Sequence, residues 1–140
     1  MNNVEMARDY LSRAKRCLRE AELALNEGDS PMAVRRAQEA LELSVKATLR
    51  MLGIEYPKSH DVSDVLLRHR DKLPQPIKEK VENLASLVSE LASVRGPAFY
   101  GYEREGIPAS QAFSLAYAER VVGEVKKHVK DIDEAMSLSR

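Results

Sequence analysis

The sequence predicts an all-α protein, an antiparallel up-and-down four-helix bundle with one additional short helix. Two observations carry that expectation. Glycine and proline number six each and fall in clusters, while Ala, Leu, Glu, Lys and Arg fill the intervals, the composition of long helices joined by short turns. Within those intervals apolar residues recur at the spacing of one helix face. Short connections make consecutive helices run up and down.

The first helix is expected from Asn2 or Asn3, where Asn2 and Glu5 have capping-box spacing, to about Asn26 ahead of Gly28. Val4, Ala7, Leu11, Ala14, Leu18, Ala21 and Leu25 form its inward stripe. The second helix starts with Ser30 as N-cap and Pro31 at the first helical position, and runs to Met51 or Leu52. Ala33, Ala37, Ala40, Ser44 and Ala47 give it a small-residue stripe, and Val34, Leu41, Val45 and Leu52 a bulkier one beside it. Two such faces mark a central helix with neighbours on both sides.

An irregular connection containing Pro57 follows, from Ile54 to His60. Asp61 is then expected to cap a short helix, Val62 to about Lys72, that turns Val65, Leu66 and Leu73 inward. Pro74 and Pro76 separate it from a fourth long segment, about Pro76 to Val94, with Val81, Leu84, Val88 and Leu91 as its stripe. The last helix is expected from about Ser110 to Met136, carrying Leu115, Ala118, Val122, Val125, Val129, Ile132 and Met136.

At 140 residues the chain fits one domain, 1–140, around one core. Lys+Arg (22) balance Asp+Glu (22), so there is no net field to hold a polyanion and any nucleic-acid contact must be local. Cys17 is the only cysteine, which excludes an internal disulfide, and no apolar run is long enough to span a bilayer. The start, MNNVEMARDY, has no charged-then-apolar leader. The expectation is a soluble cytoplasmic protein without membrane contact. His60, His69 and His128 are too dispersed to argue for a metal, and no glycine loop for phosphate is present, so no cofactor is expected.

The stretch that could carry chemistry is LASLVSELASVRGPAFYGY, Leu84 to Tyr102. Arg95 occupies the next inward position after Leu91, so a guanidinium stands where the pattern asks for a core side chain. One reading places it in the last helical turn, favoured by the macrodipole and stopped by Gly96-Pro97. The other gives it an interface or ligand role. Phe99 reads as aromatic packing at the end of the bundle. His128 reads as structural, and Arg68-His69-Arg70 with Lys72, like Arg13, Lys15, Arg16 and Arg19, as solvated basic surface.

Ala37-Gln38-Glu39-Ala40, Glu42, Lys46-Ala47, then Gly53, Pro57 and His60-Asp61-Val62 resemble the pattern of the HEPN family of small helical domains. Its ribonuclease members carry an arginine, four to six residues, a histidine, and often a residue and a tyrosine. Arg95 matches the arginine and Tyr102 the tyrosine, whereas Tyr100 stands in the histidine position and Gly96 where a polar residue is usual. The resemblance implies metal-independent RNA cleavage across a homodimer, with Arg95 and Tyr100 in the catalytic positions. It also implies pairing with a minimal nucleotidyltransferase, with Tyr102, His60 and Asp61 as the modification or ligand-binding residues.

A histidine with pKa near ~6.5 serves as acid or base at neutral pH, whereas a tyrosine near ~10 is ionised to about 0.1%. Loss of such a group lowers rates on the order of 10² to 10⁴. The favoured reading is therefore a nucleotide- or RNA-binding protein of a toxin–antitoxin or stress system, acting with a nucleotidyltransferase. The alternatives are an active ribonuclease toxin and a non-catalytic helical adaptor.

Overall fold

The computed structural model describes residues 3–138. Helix α1 spans Asn3–Asn26, α2 Ser30–Met51, α3 Ser63–Arg68, α4 Val81–Tyr100, α5 Ala109–Ala112 and α6 Leu115–Leu138, with single 3₁₀ turns at Arg70–Lys72 and Lys78–Lys80. Among the described residues there is no strand, only an isolated bridge between Tyr102 and Ile107. Helix α2 lies at the centre, packed against α1, α4 and α6.

Polar pairs between helices give their relative directions. Arg50 meets Asn3 at 3.4 Å and Arg36 meets Glu20 at 3.3 Å, so α1 and α2 run oppositely. The same holds for α2 and α4 (Gln38 with Arg95, 3.1 Å; Arg35 over Phe99, 4.9 Å). It holds again for α1 and α6 (Lys15 with Asp133, 2.9 Å; Glu22 with Lys126, 3.2 Å) and for α4 and α6 (Lys80, just ahead of α4, with Asp131, and Glu90 with Arg120, both 2.8 Å).

Both stripes of α2 are used. Ala33, Ala37, Ala40, Ser44 and Ala47 are fully buried, as are Val34, Leu41 and Val45, while Leu52 is half-buried. On α1 the stripe from Ala7 to Ala21 is buried, but Val4 is 40% exposed and Leu25 half-buried, contrary to expectation. A seven-residue repeat drifts about 20° per repeat on a straight helix, so both ends of a stripe centred on Ala14 rotate off the seam. Asn2, the expected capping partner of Glu5, lies outside the described residues.

Four boundaries differ from the sequence expectation. Asp29, not Ser30, caps α2, its Oδ1 accepting from the Met32 N–H at 3.2 Å. A carboxylate suits the positive end of a helix better than a hydroxyl, and Pro31 is tolerated within the first turn because the N–H groups there have no helical acceptor. The short helix begins at Ser63 and narrows to a 3₁₀ turn after His69. Asp61 still serves it, Oδ1 accepting from the Ser63 backbone N–H at 3.0 Å, and Val65, Leu66 and Leu73 are buried as expected.

The last helix is interrupted. Phe113 is extended and buried, and the Ser114 hydroxyl accepts from the Tyr117 N–H at 3.1 Å, so α6 has its own start. Leu115, expected inward, sits in that first turn and is 46% exposed, with Phe113 filling the core instead. From Ala118 to Met136 the expected stripe is buried.

The fourth helix differs most. It starts at Val81 after the 3₁₀ turn and passes through Gly96-Pro97 to Tyr100. The clash that normally expels the residue before proline from helical geometry involves its Cβ, which Gly96 lacks. Gly101 ends the helix, its N–H donating to the Pro97 carbonyl at 2.7 Å, with φ 73° and ψ −164°, a region that only glycine adopts readily. A Cβ there would also collide with the Ile107 carbonyl. Gly101→Ala should therefore lower stability by about 1 to 3 kcal/mol or more, and thermal unfolding should show a midpoint lower by several degrees.

Candidate functional site at the end of the fourth helix

Val81, Leu84, Val88 and Leu91 of α4 are buried, and Arg95 continues their line as a half-buried residue. Its Nε donates to Gln38 Oε1 of α2 at 3.1 Å. The Arg95 terminal nitrogens make no hydrogen bond among the described residues. Because α4 runs on to Tyr100, Arg95 does not sit in the last helical turn, and the macrodipole reading loses its basis there.

Gln38 is the first link of a polar relay along α2. Its amide donates to Glu42 Oε1 at 2.8 Å, and Lys46 Nζ reaches Glu42 Oε2 at 2.9 Å. His60 Nδ1 lies 2.9 Å from the same carboxylate. The structure thus joins Arg95 to His60, residues 35 apart in sequence, through Gln38 and Glu42. Asp61 turns away, to Ser63.

Burial pushes the Glu42 carboxyl up, but hydrogen bonds from Lys46 and Gln38 and the charges of Lys46 and His60 outweigh it, leaving Glu42 below the ordinary value of 4.5. For Asp61, too, burial is outweighed by the Ser63 hydrogen bonds.

Arg35 forms a second tie between α2 and the end of α4. One Nη donates to the Arg95 carbonyl oxygen at 2.7 Å, and the guanidinium stacks 4.9 Å from the Phe99 ring centroid. Its buried Nε lies 3.5 Å from Glu39 Oε2 without hydrogen-bond geometry. Phe99 packs edge-on against Tyr100 at 5.0 Å and 84°, yet is 49% exposed, so it closes less of the core than expected.

Tyr100 is 67% exposed, and its hydroxyl makes no hydrogen bond among the described residues. At about 100° per residue it points some 140° around the α4 axis from Arg95. Tyr102 is 39% exposed, but its backbone is fixed, its N–H donating to Ile107 O at 2.8 Å and its carbonyl accepting from Ile107 N at 3.0 Å. Tyr102 therefore presents a partly exposed ring on a tied loop.

The other histidines stand apart from this site. His69 Nδ1 lies 3.0 Å from the Val65 carbonyl, and burial holds His128 below its ordinary value. Among the described residues no group of three or more His, Cys, Asp and Glu side chains comes together to hold a metal ion, and no helix is long and apolar enough to cross a membrane.

Arg35, Gln38 and Glu42 were missed as site residues by sequence reasoning. Their signal was a ladder of polar residues at helical spacing on α2, Arg35, Gln38, Glu39, Glu42 and Lys46, beside the apolar faces.

An all-helical domain whose central helix delivers a polar relay to an arginine near the end of α4 defines the class. The HEPN domain family model matches residues 7–133, and the chain belongs to that family. No curated protein and no solved structure matches it significantly.

Glu42 makes a testable link between the relay and stability. A carboxyl whose folded-state pKa is depressed contributes stability that is complete above its unfolded value and is lost as pH falls through the folded value. Urea unfolding from about pH 6 to about pH 3.5 should show the wild type losing more stability than Glu42→Gln, which is weaker at the upper end and has no such carboxyl to titrate.

Proposed function

We propose that the end of α4 is a nucleotide- or RNA-binding surface of a HEPN homodimer that acts with a minimal nucleotidyltransferase in a toxin–antitoxin or stress system. In this reading residues 1–140 form one domain, an up-and-down four-helix bundle in the cytoplasm, and RNA cleavage is weak because Tyr100 replaces the histidine. One observation carries it: Arg95 is held by a single nitrogen while its terminal nitrogens stay open, on a helix end that also exposes Phe99 and Tyr100. A guanidinium oriented through Nε and open at its fork is suited to bidentate contact with phosphate.

Arg95 and Tyr100 point to different sides of α4, which supports a site completed by a second copy. An arginine from one subunit could then face the tyrosine position of the other. Tyr102, tied through its backbone to Ile107 with its ring partly exposed, is the position offered for modification. A second reading has its own support. Arg95 and Arg35 together fasten α4 to α2, as an adaptor anchored by that pair would require.

The wild type should cleave single-stranded RNA slowly, and Tyr100→His should raise the rate on the order of 10² to 10⁴, with Arg95→Ala abolishing the gain. No cleavage by Tyr100→His in an intact dimer would remove the ribonuclease mechanism. If Arg95→Ala leaves RNA and nucleotide binding unchanged but dissociates the dimer, the adaptor reading holds. Mass spectrometry of Tyr102 after co-expression with a minimal nucleotidyltransferase should show an added nucleotidyl mass, lost in Tyr102→Phe.

A further inference from the structure

Gln38 is 2% exposed, and both ends of its amide are committed. Glu42 fixes which end faces which way. Its carboxylate can only accept, and Lys46 Nζ lies 2.9 Å from Oε2 and His60 Nδ1 2.9 Å from Oε1. The Gln38 NH2 group therefore turns to Oε1, at 2.8 Å, and the amide oxygen is left to accept from Arg95 Nε at 3.1 Å. Turning the amide over would set its NH2 against the guanidinium and its oxygen against the carboxylate, two buried mismatches.

What Gln38 does not bring to Arg95 is charge. The neighbouring cations of α2 are answered: Lys46 by Glu42 at 2.9 Å, Arg36 by Glu39 at 2.7 Å, and Arg35 by the same Glu39 at 3.5 Å. Arg95 makes no ion pair among the described residues. Glu42, the acid of the relay, stands one turn further along α2, about 5.4 Å, with the amide in between.

Glutamate has the length and shape of glutamine, so at position 38 it would set a carboxylate against Arg95 Nε. It would draw the terminal nitrogens into a fork and end in a neutral pair. The amide holds the guanidinium by one edge and leaves its charge and its outer edge for a partner.

We infer that Gln38 is the positioning residue that makes this site selective for an anionic partner, aiming Arg95 without neutralising it. This role rests on the reading of the end of α4 as a nucleotide- or RNA-binding surface.

The test compares Gln38→Glu, Gln38→Met and Arg95→Ala in the full chain, each binding a fluorescein-labelled single-stranded RNA oligomer over a range of salt concentrations. Gln38→Glu should weaken binding by at least about tenfold and flatten the slope of log K against log salt by about 1, as Arg95→Ala does. Gln38→Met keeps the side-chain volume and the cation but removes the acceptor. It should keep the wild-type salt slope and weaken binding about two- to tenfold, the cost of ordering a freed arginine on binding. In ¹⁵N-labelled protein the Arg95 Nε–H signal, assigned by its absence in Arg95→Ala, should stay resolved in Gln38→Glu and merge with those of exposed arginines in Gln38→Met. A role confined to packing would lower the unfolding midpoint of both variants without separating their salt slopes.

If Arg95→Ala weakens binding while both Gln38 variants bind as the wild type does, Gln38 has no such role and the surface reading stands. If Arg95→Ala binds RNA as tightly as the wild type, the surface reading fails and the role of Gln38 falls with it. An Arg95 Nε–H signal unchanged in Gln38→Met overturns the positioning role whatever the RNA result, and this variant alone suffices if Gln38→Glu does not fold.

Discussion

Everything in this domain depends on how closely α2 can be approached. Ala33, Ala37, Ala40, Ser44 and Ala47 have no side chain beyond a methyl or a hydroxymethyl, and Ala7, Ala14 and Ala21 on α1 are equally small and buried. Facing lines of small residues bring two backbones together, and the remaining bulk of α2 is then free to fill the space toward α4 and α6. The core is accordingly built from Leu, Val, Ile and Ala with Met136, and among the described residues Phe113 is its one buried aromatic ring.

That packing also fixes where charge can sit. A helix covered on two faces has a narrow remaining flank, and on α2 the flank carries Arg35, Gln38, Glu39, Glu42, Lys46 and Arg50. Residues three and four apart pair readily, so Glu42 is held by Lys46 and Gln38 before any distant group reaches it. Gln38 then presents its oxygen to Arg95, and His60 docks on the carboxylate from outside. A chain with balanced charge thereby acquires an oriented guanidinium at one end of the flank and a cluster of cations at the other.

Much of this was legible in the sequence where one physical cause dominated. The stripes of α1 and α2, the central place of α2 and the position of Arg95 on the α4 stripe follow from helical periodicity, which burial enforces over many residues at once. Boundaries set by single residues were less legible. Gly96-Pro97 reads as a stop when proline is considered alone, and passes as helix because the residue before it has no Cβ. Leu115 reads as core until Phe113 takes that role and Ser114 starts a new helix. The relay was visible only as a set of polar residues, since spacing along α2 does not say that Gln38 meets Arg95 or that Glu42 meets His60.

Proline at position 97 has one more effect. It has no N–H to offer the carbonyl of Ser93 four residues earlier, so the ladder of α4 has a missing rung just below Phe99 and Tyr100. The final turn is held instead by the Gly101 N–H on the Pro97 carbonyl and by Arg35 on the Arg95 carbonyl. One helical hydrogen bond is thus absent at the base of that turn, and Arg35, a side chain of a neighbouring helix, supplies a tie at the same place. The turn that exposes Phe99 and Tyr100 is thereby fastened to α2 as well as to its own helix, with Ala98 as its point of contact with the core.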